Sequence, residues 1–497
     1  MFEAQAIIGH AVPRDGRATA TFERQDPRTS EVITRAAACS PQDAVSAADM
    51  AASCFFEWST TAPAARAAVL ERAALLLEER SDDFIAAAGA EVGATPDWVR
   101  FNIEIAQNTL RHAATLTHRI GQEPYEAGNP AMRYTRLRKP VGVVLGIAPW
   151  NAPITLAVRA VAAPLALGNT VVLKGSELCP RTHELVARAL IDAGLPEGAL
   201  NYVVNAPEDS RAVVEALIAH PAVRRINFTG STRVGREVNM IAARHLKACL
   251  LELSGKAPCV VLHDADVAAA ARIAAQGAFF NQGQICMSTD RAIVDERVAD
   301  AFVAAVAAEA DNLRHDGAND SAGQLISADA VLRVKGLIDD AVAKGAQLVI
   351  GGEVTPTQMQ PTVLDGVNFG MRIYTEETFG PVLSIIRVAD AEEAISVAND
   401  TDYGLAAAVH GDPSGEVRNV AARIESGVVH INGSTVYDDP ALPFGGLKAS
   451  GYGRFGGETA IQEFTETQFI TEHRSEDGED AGAEEKRAKS NRITEEE

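Results

Sequence analysis

Cysteine is scarce in this chain, and basic residues are outnumbered. Only six cysteines occur in 497 residues, at Cys39, Cys54, Cys179, Cys249, Cys259 and Cys286. None falls in a CxxC pair or a metal-ligand cluster, which excludes a zinc-ribbon site and a disulfide scaffold, and no metal is expected. A reducing, cytoplasmic environment fits, with most thiols packed as small apolar groups. Lys and Arg number 45 against 67 Asp and Glu, a net charge of -22. Such a surface repels phosphate backbones and anionic lipid, so neither nucleic acid nor a membrane is an expected partner. Uninterrupted apolar runs of membrane-spanning length are missing too. The richest stretch, Val141 to Leu173, is broken by Pro149, Asn151, Pro153, Arg159, Pro164 and Asn169. It reads as buried strand, loop, helix, loop and buried strand. The opening MFEAQAIIGHAVPRDGR has no basic start followed by a long apolar run, so no secretory leader is expected.

What is present is globular: 47% apolar and 23% charged residues, in a chain long enough for two or more domains. Residues 41–120 are Ala-rich with helical periodicity, including helices from Ala64 to Arg80 and from Asp82 to Glu91. Met132 to Arg138 alternates as a strand does. From Val141 onward, short β-branched runs (VGVVLGIA, NTVVLKG, LNYVVN, VRRINFTG) alternate with helices at Thr182–Ala193 and Asp209–Ala219. That alternation predicts a parallel α/β sheet. A second α/β series begins near Leu250 with APCVVLH, a helix from Ala268 to Ala278, RAIVDE, a long Ala-rich helix and AQLVIGG. The last segment, Glu472 to Glu497, is nearly all polar and reads as a solvated tail.

Four segments share one chemical logic. In FFNQGQICMS, residues 279–288, Cys286 stands in a polar loop after a helix, where a thiol can meet a ligand or simply pack. In LLELSGKAP, residues 250–258, Glu252 stands in an apolar run, where a raised pKa suits a general base; a salt-bridged edge residue is the alternative. In IAPWNAP, residues 147–153, the Asn151 amide suits an oxyanion donor or a helix N-cap. In INFTGSTRVGREV, residues 226–238, a strand, the turn Gly230–Ser231 and a helix start suit a phosphate, although the spacing departs from GxGxxG.

Taken in chain order with VVLKGSE, EETFGPV and PFGGLKASGYGR, these segments resemble the aldehyde dehydrogenase superfamily from about residue 20 to 472. The resemblance implies Cys286 as nucleophile, Glu252 as the base for thioester hydrolysis, and Asn151 with the Cys286 N–H as the oxyanion hole. It implies NAD as cofactor. Trp150, Lys174, Ser176, Glu177 and Phe228 would line its site, with Lys174 and Glu177 on the adenosine ribose. Gly230 and Ser231 would meet the pyrophosphate, and Glu377 and Phe379 the nicotinamide ribose and ring. The charge of Glu177 would repel a 2′-phosphate, favouring NAD over NADP. One departure stands out: Ser254 replaces the middle glycine of the family's ELGGK motif, beside the base. The implied fold is α/β. A Rossmann-type cofactor domain (1–120 and 140–249) is joined by an α/β catalytic domain (250–440), a small β oligomerisation arm (121–139 and 456–472) and a charged tail (473–497). A homodimer or homotetramer is expected.

Within the superfamily, GIAPWNAPITLAVRAVAAPLALGNTVVLK, NQGQICMST and GYGRFGG…EFTE resemble the salicylaldehyde, vanillin and benzaldehyde dehydrogenases. An aromatic aldehyde is therefore the expected substrate. Trp98, Arg159 and Tyr437 would border its tunnel; each has a plain alternative as a core or solvated residue. Three rivals remain open: a cofactor-binding protein without catalysis, a cysteine hydrolase, and an acylating enzyme that passes its thioester to coenzyme A. The second lacks a His in these motifs, and the presence of Glu252 argues against the third.

Overall fold

A computed structural model describes residues 1–9, 20–314 and 323–474; the charged segment from residue 475 onward lies outside them. Two mostly parallel sheets organise the chain. The first runs in the order Gly451–Tyr452, Ala248–Glu252, Val223–Thr229, Val143–Ile147, Thr170–Lys174, Leu200–Val203. Its pairs are parallel apart from the edge strand Gly451–Tyr452. Val143–Ile147 and Thr170–Lys174 are buried at every position, as β-branched runs covered on both faces must be. The connecting helix Pro153–Ala166 is buried except at Ala163, so it is a core helix rather than an amphipathic one.

The chain lays down Val143–Ile147 first and steps outward through Thr170–Lys174 to Leu200–Val203. It then crosses to the other side for Val223–Thr229 and Ala248–Glu252. The direction of travel reverses between Val143–Ile147 and Val223–Thr229. In parallel sheets, the crevice outside the carboxyl ends at such a reversal is where ligands bind.

The second sheet has the order Gln347–Ile350, Thr362–Asp365, Val382–Val388, Arg291–Asp295, Pro258–Val261, Ala406–His410, Val428–Ile431. Only its first pair is antiparallel. Residues Leu253–Ala257 join the two sheets, leading from Glu252 into Pro258–Val261.

A third, antiparallel sheet aligns Gly121–Tyr125, Met132–Pro140 and Thr465–His473, with Gln468 opposite Leu137 and Phe469 opposite Arg136. Its last strand starts later and ends later than the sequence pattern suggests. Residues Gly457–Phe464 form a helix that buries Ala460, Ile461 and Phe464, while His473 still pairs with Met132. The periodicity of AIQEF belongs to that helix. The strands Phe2–Ala4, Thr21–Gln25 and Val32–Ala37 make a small N-terminal sheet that the sequence reading does not anticipate. Among the described residues, no helix is long and apolar enough to cross a membrane.

Candidate active site

The helix Val267–Phe279 ends in a short 3-10 turn, Phe280–Gly283, in which Asn281, Gln282 and Gly283 all have left-handed backbones, with φ of 49°, 56° and 68°. This tight reversal carries the chain to Cys286. The Gln284 side chain locks it, donating to the Gln324 carbonyl (2.9 Å) and accepting from the Ile326 N–H (2.9 Å). Cys286 is the one cysteine of six that is not fully buried. Packing alone does not describe it, because it lines two cavities at once.

Glu252 ends its strand, is 1% exposed and belongs to the same cavity wall. Its Oε1 is buried with no hydrogen-bond partner among the described residues, in the cavity wall it shares with Cys286. It is not a salt-bridged edge residue. Burial above all raises its carboxyl from 4.5 to about 7. Burial also pushes the Cys286 thiol well above its usual range, and the neighbouring negative charge of Glu252 adds to this. The site therefore holds a neutral thiol beside a carboxyl group able to take its proton near neutral pH.

Asn151 is not a helix N-cap: the helix Pro153–Ala166 has Ala152 at that position and no side-chain cap. Instead Asn151 Nδ2 donates to the Gln284 carbonyl at 3.0 Å. Its own carbonyl accepts from Trp98 Nε1 (2.9 Å) and Asn281 Nδ2 (3.2 Å). An amide nitrogen carries two hydrogens, so one remains for a ligand in the cavity shared with Cys286. That is what an oxyanion donor requires.

Two adjoining cavities lie over the carboxyl ends of the first sheet. One, of about 410 Å3, is lined by Trp150, Asn151, Gly230, Glu252, Cys286, Glu377 and Phe379. The other, of about 440 Å3, is lined by Lys174, Ser176, Glu177, Phe228, Arg211 and the helix Thr232–Arg244. Trp150, Thr229 and Ser231 border both, making a continuous cleft of dinucleotide dimensions. The cleft fits an extended cofactor in its details. Gly230 lets the turn lie against Phe228, since a Cβ there would lie 2.7 Å from that ring. Gly235 lets the following helix sit close on Leu253 (2.4 Å to a built Cβ). Lys174 pairs with Glu177 at 3.3 Å at one end. At the other, Glu377 accepts from the Gly255 N–H at 2.9 Å, and Phe379, at φ 43°, meets Trp150 edge-on at 5.9 Å.

On the far side of Cys286 a narrow tunnel of about 40 Å3 is lined by Trp98, Phe101, Ile105, Met287, Arg159 and Tyr437. All three residues expected there are present. Trp98 stacks on Phe101 (5.5 Å) and meets Phe280 edge-on (4.9 Å). Arg159 is neither solvated nor free: it is ion-paired with Asp438 and lies 4.8 Å over the Phe444 ring. Tyr437 is half exposed and packs edge-on against His430. Sequence reasoning missed Phe101 and Asp438, which carry no motif signal, and Met287, which stands in the NQGQICMST string beside the more conspicuous Cys286. It also missed the buried set Lys256–Asp290–Thr378, in which Lys256 Nζ reaches Asp290 at 2.6 Å and Thr378 at 3.0 Å. This set anchors the segment bearing Glu377.

Known proteins agree with this architecture. The pattern of the Aldehyde dehydrogenase family matches residues 14–470. A vanillin dehydrogenase from Pseudomonas fluorescens is 52% identical over 469 residues, spanning 94% of this chain and 96% of its own. The crystal structure of a salicylaldehyde dehydrogenase from Pseudomonas putida G7, complexed with salicylaldehyde, superposes with a TM-score of 0.92 at 43% identity, covering 97% of this chain and all of the other. An indole-3-acetaldehyde dehydrogenase complexed with NAD+ gives 0.90 at 33% identity over 95% and 97% of the two chains. The chain belongs to the aldehyde dehydrogenase family.

Proposed function

We propose that this aldehyde dehydrogenase oxidises an aromatic aldehyde of the vanillin, salicylaldehyde or benzaldehyde kind to its carboxylic acid, with NAD, through a thioester on Cys286. The observation that carries the reading is the position of Cys286 and Asn151 in the wall shared by the cofactor-sized cleft and the aromatic tunnel. An aldehyde carbon entering by the tunnel meets Sγ there. The thiol proton passes to Glu252, and Sγ adds to the carbonyl carbon. The resulting alkoxide is stabilised by the Asn151 amide and the Cys286 N–H. Bound NAD would supply the hydride acceptor, so the carbonyl re-forms as a thioester. Once Glu252 has released the thiol proton to solvent, it takes a proton from water. The hydroxide attacks the thioester, and the acid leaves as the thiol is restored.

Similarity to enzymes named for vanillin and salicylaldehyde supports an aromatic substrate. So do the flat walls of Trp98 and Phe101. Glu177 supports NAD over NADP, although its pairing with Lys174 softens the repulsion of a 2′-phosphate. We further propose a cytoplasmic homodimer or homotetramer, joined through the exposed strand Thr465–His473.

The test is kcat/KM for benzaldehyde, salicylaldehyde and vanillin against propanal, hexanal and betaine aldehyde, with each cofactor. Aromatic aldehydes should win by about ten- to a hundredfold, since apolar pockets discriminate modestly, and NAD should beat NADP. A clear lead for an aliphatic aldehyde overturns the substrate class, and a lead for NADP overturns the cofactor choice.

A further inference from the structure

The backbone carbonyl of Asn151 has two lone pairs, and side chains from two distant segments fill both. Trp98 Nε1 donates to it at 2.9 Å and Asn281 Nδ2 at 3.2 Å. The first donor belongs to the helix Pro96–Leu116, the second to the 3-10 turn that leads to Cys286. The indole is itself held: it is 2% exposed, stacks on Phe101 and meets Phe280 edge-on, and Phe280 packs edge-on against Phe101 at 5.4 Å. Three rings in mutual contact leave it little room to turn its N–H away from the carbonyl.

The same helix grips the chain again one turn on. Asn102 Nδ2 donates to the Trp98 carbonyl at 2.9 Å. The Asn102 carbonyl accepts from the Thr155 hydroxyl at 3.0 Å, and its Oδ1 accepts from the Thr155 N–H at 3.4 Å. Both residues are buried. Two pairs, Trp98 with Asn151 and Asn102 with Thr155, thus tie one short segment to one helix. The Asn151 side chain starts from a peptide held in this way. Its Nδ2 gives one proton to the Gln284 carbonyl and has one left for the cavity shared with Cys286. Only two side-chain torsions separate that amide from its Cα, so the backbone sets where the proton points. A phenyl ring would line the tunnel as well as an indole does; the N–H is what a phenyl ring lacks.

We infer that Trp98 is a positioning residue for the acylation step: its indole N–H, with the Asn281 amide, fixes the Asn151 peptide so that the Asn151 side-chain amide meets the aldehyde oxygen as it becomes an alkoxide. The inference rests on the reading of Asn151 given above. A donor set in place beforehand needs no reorganisation as charge develops, which is where such donors gain their effect. The two parts of Trp98 then act differently. The ring bears on whatever fills the tunnel, and the N–H on every aldehyde alike.

The experiment is stopped-flow measurement of single-turnover NADH formation, with the full-length protein preloaded with NAD and mixed with saturating benzaldehyde or propanal. The variants are W98F, N281A, and Trp98→β-(3-benzothienyl)alanine, which exchanges only the N–H for sulfur in a ring system of the same shape. W98F is repeated in an N151A background. Acylation should slow about three- to tenfold in each single variant, the range of one lost neutral hydrogen bond, and by the same factor for both aldehydes. The Kd for NAD, measured by calorimetry, should stay at the parental value. In N151A the W98F change should add nothing. Parental acylation in the benzothienyl variant, a loss confined to benzaldehyde, a weakened Kd for NAD in that variant, or an undiminished effect in N151A each overturns the inference. Acylation at the parental rate in N151A itself would instead overturn the reading of Asn151 as the oxyanion donor.

Discussion

Cys286 and Glu252 stand in one cavity wall with their proton affinities both raised, and this sets what each can be asked to do. The thiol is held protonated by burial and by the carboxylate next to it. Cys286→Ala should therefore abolish turnover while leaving NAD affinity intact, and dehydrogenase activity above background in the variant would remove Cys286 from the nucleophile's role. Glu252→Gln should still acylate and release about one equivalent of NADH in a burst, then turn over very slowly. A steady-state rate equal to the parent's would rule out its role in hydrolysis. The pH dependence follows from the same carboxyl. Its proton leaves near 7, so thioester hydrolysis in the parent should rise with pH through about 7 and then level off. Stability runs the other way. Between 4.5 and 7 the folded protein holds a proton that the unfolded chain releases, so this group costs stability as pH rises through that window. Glu252→Gln removes the buried charge and should melt higher than the parent at about pH 8 but level with it at about pH 5. Melting curves that run parallel at both values would contradict that burial cost.

The loop that carries Cys286 is packed through Ile285 and Met287 and turned by an unusual backbone. Its three successive left-handed residues reverse the chain, and Gly283 is the tightest point, where a built Cβ would lie 2.2 Å from the Gly380 carbonyl oxygen. Gly283→Ala must open that contact and strain φ, costing roughly 1–3 kcal/mol and moving the Cys286 N–H. We expect a lower melting temperature together with slower acylation in stopped-flow measurements. A variant with the parent's melting point and acylation rate would mean the reversal tolerates a side chain after all. The loop is supported from the other side by Trp98, whose indole N–H holds the Asn151 carbonyl. One aromatic residue thus lines the cavity beside Cys286 and fixes the backbone of Asn151.

The molecule as a whole places its chemistry between two sheets. Glu252 comes from the end of one, and Cys286 from the loop before a strand of the other. Neither sheet holds a complete site, so activity and the docking of the two sheets should be lost together on unfolding. The described chain closes with the Arg474 N–H donating to the Ala131 carbonyl, which completes the arm sheet. The segment beyond, residues 475–497, contains one aliphatic residue larger than alanine, Ile493. Such a composition buries almost no apolar surface, so a chain ending at Arg474 should fold with the parent's melting temperature and kcat/KM. A truncated chain that fails to fold would show that the tail packs on the body.

Much of this was legible before any coordinates. The β-branched runs and Ala-rich helices announce parallel α/β sheets, because periodicity is a local property of the chain. The motif strings around Cys286, Glu252 and Asn151 are local too, and they name the chemistry. What the string of residues left undecided are the alternatives that turn on distant partners. Whether Asn151 caps a helix or faces a ligand depends on Gln284 and Trp98. Whether Arg159 is solvated depends on Asp438, 279 positions away. The helix Gly457–Phe464 replaces an expected stretch of strand because Ala460, Ile461 and Phe464 find a core to bury in. A burial or a hydrogen bond between such residues exists only after both sheets have formed and docked, and no local pattern in the chain records which groups that docking brings together.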